Sequence, residues 1–177
     1  MAVTQTIASS AAYVIGRISE LWGELPDTTA LQRIVYLVQQ KGVDLGYQYG
    51  VHFAGPYSAA LDVHTLFLSA EGLIRFSSDG THHFIGLTIR GLAANAEGLS
   101  PEDLAVIDEV IAYCRGRSPE ELELLTTALF VHDHLQDGSE AKVAAGVRRL
   151  TGARYSREEI DAAIREFAFF GRFIQAA

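Results

Sequence analysis

Between Ile7 and Thr88 the apolar residues change period in a fixed order, and that order narrows the folds open to the chain. Ile7, Ala11, Val14, Ile15, Ile18 and Trp22 recur at helical spacing and stop near Gly23. Pro26 closes that element. Asp27 or Thr28 can cap a second helix, with Leu31, Ile34, Val35 and Val38 on one face and Gly42 as its C-terminal stop. Tyr47 to Phe53 is aromatic and β-branched, a short strand in which Gly50 marks a bulge or an edge. Gly55 and Pro56 then form a structural turn, because Pro56 fixes φ and Gly55 permits an unusual backbone angle. A third helix is expected from Tyr57 to about Ala70, followed by strands Leu73 to Ser77 and His83 to Thr88 joined by Ser78-Asp79-Gly80. Three helices and then a hairpin is the order of a winged helix, which is the expectation for residues 1–96.

The remainder reads as helices alone. Asn95, Gly98, Ser100 and Pro101 mark a boundary at which Ser100 caps the next helix and Pro101 sits in its first turn. Four stripes follow: Leu104, Ile107, Ile111 and Cys114; Leu122, Leu125 and Leu129; Val143, Val147 and Leu150; Ile160, Ile164, Phe167 and Phe170. The expected fold class is mainly α with a small β component, a winged-helix-like N-terminal module carrying an all-helical bundle over 97–177. Ser156 to Ile174 echoes Ser58 to Ile74, a capped helix running into glycine and an apolar pair. Either a second helix-turn-helix or an ordinary helix end accounts for it.

A chain of 177 residues can bury roughly 70% of its unfolded surface, so it needs no metal or disulfide staple. Cys114 is the single cysteine, which excludes an intrachain disulfide and points to a reducing compartment. No basic leader and no apolar run of about 18 residues occurs, so neither secretion nor membrane insertion is expected, and the cytoplasm is the expected location. The net charge of −8 is concentrated: residues 97–137 hold ten acids against Arg115 and Arg117, while residues 138–177 hold seven bases and five acids. Nucleic acid is disfavoured as a general partner, since phosphate contacts need Lys and Arg.

The third helix would face a partner in a winged helix. At about 100° per residue, Ala59, Val63, Leu66, Phe67 and Ala70 share a side and are assigned to the core. Ser58, Asp62, Thr65 and Ser69 form a polar stripe, and Leu61, His64 and Leu68 lie opposite the core. No Lys or Arg occurs from Gly42 to Ile74, so the helix lacks side chains for phosphates or guanine edges. The expected partner-binding residues are therefore Tyr57, Leu61, His64 and Leu68.

No constellation supports catalysis. His132 and His134 are spaced i, i+2, on different faces of a helix, and His82 and His83 point to opposite faces of a strand, so no metal site is expected. Ser58 follows a strand-to-helix turn but lacks the G-x-S-x-G frame, and helix capping explains it. The scattered glycines match no phosphate-cradling or dinucleotide motif, so no cofactor is expected. Cys114 lies on an apolar stripe and should behave as a small buried hydrophobe.

Leu31-Gln32-Arg33-Ile34-Val35-Tyr36-Leu37, Gly55-Pro56-Tyr57-Ser58, Glu71-Gly72-Leu73-Ile74 and Leu87-Thr88 together resemble the YwgA-like proteins of bacteria and archaea. More distantly they resemble the Panacea domain of SocA-type antitoxins. The resemblance spans about residues 30–91, with Ala54 where the pattern has Tyr. It implies a small helical fold with a winged-helix-like core and, for the Panacea group, neutralisation of a toxin by direct protein contact. It transfers Gly55, Pro56 and Tyr57 as a shape-determining turn and no catalytic residue.

Two functions stand after this reading. The first is a non-enzymatic protein-interaction module, antitoxin-like or adaptor-like, working through the third helix. The second is a DNA-binding regulator whose Arg148, Arg149, Arg154, Arg157 and Arg165 contact phosphates; the segment that holds them, 138–177, carries half of all Lys and Arg. A homodimer paired through residues 7–22 is compatible with both.

Overall fold

The computed structural model describes the backbone of residues 2–52, 55–92, 98–135 and 138–174, and their side chains from Ser10 onward with Leu92 excepted. The side chain of Ile7, the residues Phe53 and Ala54, and most of the boundary segment before Gly98 lie outside these described residues. Among them the fold is mainly helical with a small β component. In chain order the elements are α1 (Ala2–Trp22), α2 (Thr28–Gln40), β1 (Gly50–His52), β2 (Gly55–Tyr57), α3 (Ala59–Ala70), β3 (Ile74–Ser78), β4 (His83–Leu87), α4 (Ile89–Leu92), α5 (Pro101–Cys114), α6 (Pro119–Asp133), α7 (Glu140–Thr151) and α8 (Arg157–Arg165), with a 3₁₀ turn at Glu166–Phe170.

These elements form two compact units that do not follow a division at residue 96. The first comprises Met1–Tyr49 and Ser58–Arg115, the second Gly50–Tyr57 and Gly116–Ala177. α5 joins the first unit because it packs on α1 and α2. Arg17 of α1 grips both carboxylate oxygens of Asp108 at 2.8 and 2.7 Å, the Trp22 indole donates to the Ile111 carbonyl at 3.0 Å, and Lys41 pairs with Glu109 at 3.3 Å.

In the first unit the helix starts are set locally. The Asp27 side chain accepts from the Ala30 N–H, and Ser100 with Asp103 forms a reciprocal capping box ahead of Pro101. β3 and β4 pair antiparallel from Ile74↔Leu87 to Ser78↔His83. At the hairpin tip the Asp79 carboxylate accepts from the N–H groups of His82 and Thr81, which hold its pKa down to about 2. The segment between α1 and α2 reaches β4: Asp27 bridges Phe84, and the Ile85 N–H donates to the Pro26 carbonyl at 2.9 Å.

The hairpin is locked to α4 at one carbonyl. Leu73 O accepts from the Thr88 N–H at 2.9 Å and the Thr88 hydroxyl at 3.2 Å, and a Cβ on Gly91 would stand 2.0 Å from it. That neighbour is backbone, so it cannot rotate away. Gly91→Ala should therefore cost about 3 kcal/mol or more, read as a melting temperature lowered by roughly 6–12 °C. A melting temperature equal to that of the wild type would refute this close approach.

In the second unit α6 is buried on every side from Leu122 to Val131, so its Leu122, Leu125 and Leu129 stripe was only part of what it buries. α7, α8 and β2 surround it. Gly146 of α7 packs so close that a Cβ there would meet Val131 Cγ1 at 2.5 Å. β1 and β2 form a two-stranded antiparallel ribbon with Val51↔Pro56 and His52↔Gly55 in register. Gly55 and Pro56, expected as a turn after a strand over Tyr47 to Phe53, are instead the first residues of β2. Pro56 fits because a two-stranded ribbon leaves one side of each strand without a ladder partner. Gly55 is required there by its φ of 101° and by Thr127 Oγ1, 3.2 Å from where a Cβ would be. The echo of the third helix also ends differently: α8 runs into the 3₁₀ turn and Gly171, with no strand among the described residues that follow.

Candidate functional site

The start of α3 is positioned by two glutamines of α2, seven residues and hence two turns apart on one face. Gln39 donates to the Tyr47 carbonyl at 2.8 Å and accepts from the Tyr47 N–H at 2.9 Å. Gln32 does the same to Ser58, donating to its carbonyl at 2.9 Å and accepting from its N–H at 3.0 Å. Each side-chain amide thus imitates a strand neighbour for one residue, and the two clamps bracket the segment 48–57. Gln32 is buried and its amide also donates to Asp62 of α3 at 2.8 Å. The Tyr49 hydroxyl closes the arrangement on the Gln32 carbonyl at 3.1 Å, with its ring edge-on to Tyr36. Burial raises the pKa of both Tyr47 and Tyr49, so both stay phenols at neutral pH.

Ser58 was expected to cap α3 through its hydroxyl. It occupies the N-cap position, but its side chain makes no capping bond, and its buried hydroxyl has no hydrogen-bond partner among the described residues. The Gln32 clamp, not capping, is what fixes this residue.

The face assignment of α3 is corrected. Leu61 and Leu68, expected to be presented to a partner, are 0% and 1% exposed and belong to the core with Thr65. Val63, Leu66 and Phe67, assigned to the core, are 61%, 63% and 49% exposed, with Ala59 and Ala70 exposed beside them. The physical reason lies at the C-terminus of the helix. The Leu73 N–H bonds to the Leu68 carbonyl and the Gly72 N–H to the Ser69 carbonyl, around Gly72 at a φ of 70°. This Schellman turn sets Leu68 against the chain entering β3, and the side of α3 that carries Leu68 must face inward.

Of the other two expected partner residues, His64 borders this exposed ridge and Tyr57 belongs to the second unit. His64 is half-buried, its Nδ1 3.1 Å from the Tyr47 hydroxyl, and burial lowers its pKa. Tyr57 lies in β2, where its ring is 5.3 Å from that of His52.

Of the tail arginines, Arg154 is paired with the buried Glu123 and Arg157 with Asp161 at 2.7 Å, whereas Arg148, Arg149 and Arg165 are exposed. Among the described residues no group of three or more His, Cys, Asp or Glu could hold a metal ion. A cleft of about 450 Å³ in the second unit has Leu124, Leu125 and Tyr155 on its floor and Glu121 and Glu159 on its rim. Both carboxylates are engaged in capping boxes with Ser118 and Ser156. Cys114 is buried, as its apolar stripe implied. No helix among the described residues is long and apolar enough to cross a membrane. No family model and no curated protein matches the chain.

Proposed function

We propose that this chain is a protein-interaction module, antitoxin-like or adaptor-like, whose binding face is the outer side of α3. One observation carries the reading: three large apolar side chains, Val63, Leu66 and Phe67, stand exposed on a single helix that already buries its opposite side. Contiguous apolar surface of this kind on a folded unit marks a contact. The winged-helix reading of the first unit supports it, since that arrangement turns its third helix outward. In favour of a winged helix are the order of α1, α2, α3 and the β3–β4 hairpin, and the Asp27–Phe84 bridge, which ties the segment between the first two helices to the wing.

DNA binding through the tail has Arg148, Arg149 and Arg165 in its favour. Arg154 and Arg157 are held in intrachain pairs, and Glu158 and Glu159 open α8, so that face is mixed in charge. It is the weaker reading.

The tagged chain, used to capture proteins from its source cells, should retain a specific partner that is lost on Val63→Glu plus Leu66→Glu. The same partners retained by the folded double variant would remove α3 as the binding face.

A further inference from the structure

The charges and spacing on α3 bear on what docks there. At about 100° per residue, Asp62 and Ser69 border the exposed ridge on one flank, and Ala60, His64 and Glu71 border it on the other. A carboxylate therefore stands on each side. No Lys or Arg occurs between Gly42 and Ile74, and the Arg90 guanidinium lies past the end of the helix, beside Gly72. His64 adds no charge near neutral pH, because burial lowers its pKa. Over the whole first unit twelve carboxylates stand against six Lys and Arg, so pairing of two copies through this face works against electrostatics.

Spacing selects the shape of the occupant. Ala59, Val63, Leu66 and Ala70 succeed one another at steps of four, three and four, the seam of a coiled coil, with small alanines at both ends of a Val–Leu centre. A helix laid along that seam can approach closely and fill the holes between these side chains.

We infer that the partner segment is an amphipathic helix whose apolar stripe packs on Val63, Leu66 and Phe67 and is bordered by Lys or Arg facing Asp62 and Glu71. This rests on the protein-binding reading of α3. Opposite charges at the border set partner choice and speed association more than they add affinity, so the interaction should be salt-sensitive.

The test uses two synthetic helical peptides with the same leucine seam, one bordered by lysines and the other by glutamates. Each is titrated with the full chain by fluorescence anisotropy at 50 and 300 mM NaCl. The lysine peptide should bind at least tenfold more tightly at low salt, weaken at high salt, lose binding with Leu66→Glu, and lose roughly two- to fivefold with Glu71→Gln. If the glutamate peptide binds equally well, and both are lost with Leu66→Glu, the charge inference falls while α3 remains a docking helix. If lysine-peptide binding is indifferent to Leu66→Glu, the docking reading falls too, because the attraction is then only that of an acidic chain. Failure of both peptides to bind overturns the helical partner. Sedimentation velocity that shows a dimer abolished by Leu66→Glu would assign the ridge to a second copy. Phosphatidylserine vesicles bound through Leu66 would assign it to lipid. Either outcome overturns the inference.

Discussion

Leu68→Glu should abolish folding of the first unit, while Leu66→Glu, two residues earlier on the same helix, should leave the melting temperature within about 2 °C of the wild type. Leu68 is fully buried against the turn into β3. Truncating such a leucine costs about 2–5 kcal/mol through lost transfer energy and the cavity left behind. Glutamate adds the desolvation of a carboxylate with no cation anywhere from Gly42 to Ile74 to meet it. Set against a stability of about 5–15 kcal/mol for a domain, the combined loss leaves little or none. Leu66 points away from that core and is mostly exposed, so a charge there remains hydrated. Circular dichroism and gel filtration of both variants decide the matter. Equal losses at the two positions, or a folded Leu68→Glu protein, would mean that the inward side of α3 is misplaced and that its ridge is not free to bind.

The contrast also marks where the sequence stopped being informative. AALDVHTLFLSA is apolar around most of its circumference, so two stripes, one with Leu61 and Leu68 and one with Val63 and Leu66, compete for the core. Periodicity ranks them by size and count and favours the second. A signal was present in Gly72 followed by Leu73: a glycine just past the helix favours a Schellman turn, and the turn formed here commits Leu68 to the side facing the following strand. Helix starts were legible because a cap is a contact over three residues, as at Asp27 and Ser100. The hairpin over residues 74–87 was legible for a similar reason, its register being set by the short Asp79–His82 connection, which begins one residue later than the Ser78-Asp79-Gly80 turn read from the sequence. The grouping of 50–57 with the C-terminal helices was not, because Gly55 is held against Thr127, 72 residues on in the chain. Nor was the role of Gln32, a polar residue inside a run of eight buried positions, whose partners lie 26 and 30 residues away.

That glutamine carries the second large effect. Gln32→Ala takes the partner from the N–H of the buried Ser58, at about 1–3 kcal/mol for an unsatisfied group, and leaves the Ser58 carbonyl with only the long 3.5 Å bond from the Asp62 N–H. Gln32→Glu is the more discriminating change. The introduced carboxylate still accepts from the Ser58 N–H but faces the Ser58 carbonyl and the Asp62 carboxylate, each at about 3 Å, with no proton to offer either. Proximity to Asp62 and burial both raise the folded-state pKa of the new group above its unfolded value of about 4.3. The folded state then binds a proton more readily than the unfolded state, so the variant gains stability as pH falls through the raised pKa and the gain levels off near the unfolded value. Its melting temperature should lie far below that of the wild type at pH 7.5, and the gap should narrow markedly by pH 5. Gln32→Ala, with no group to protonate, should show a gap that does not depend on pH. A constant gap for Gln32→Glu as well would mean that Gln32 does not hold Ser58 and Asp62, and the account of how α3 is aimed would fail with it.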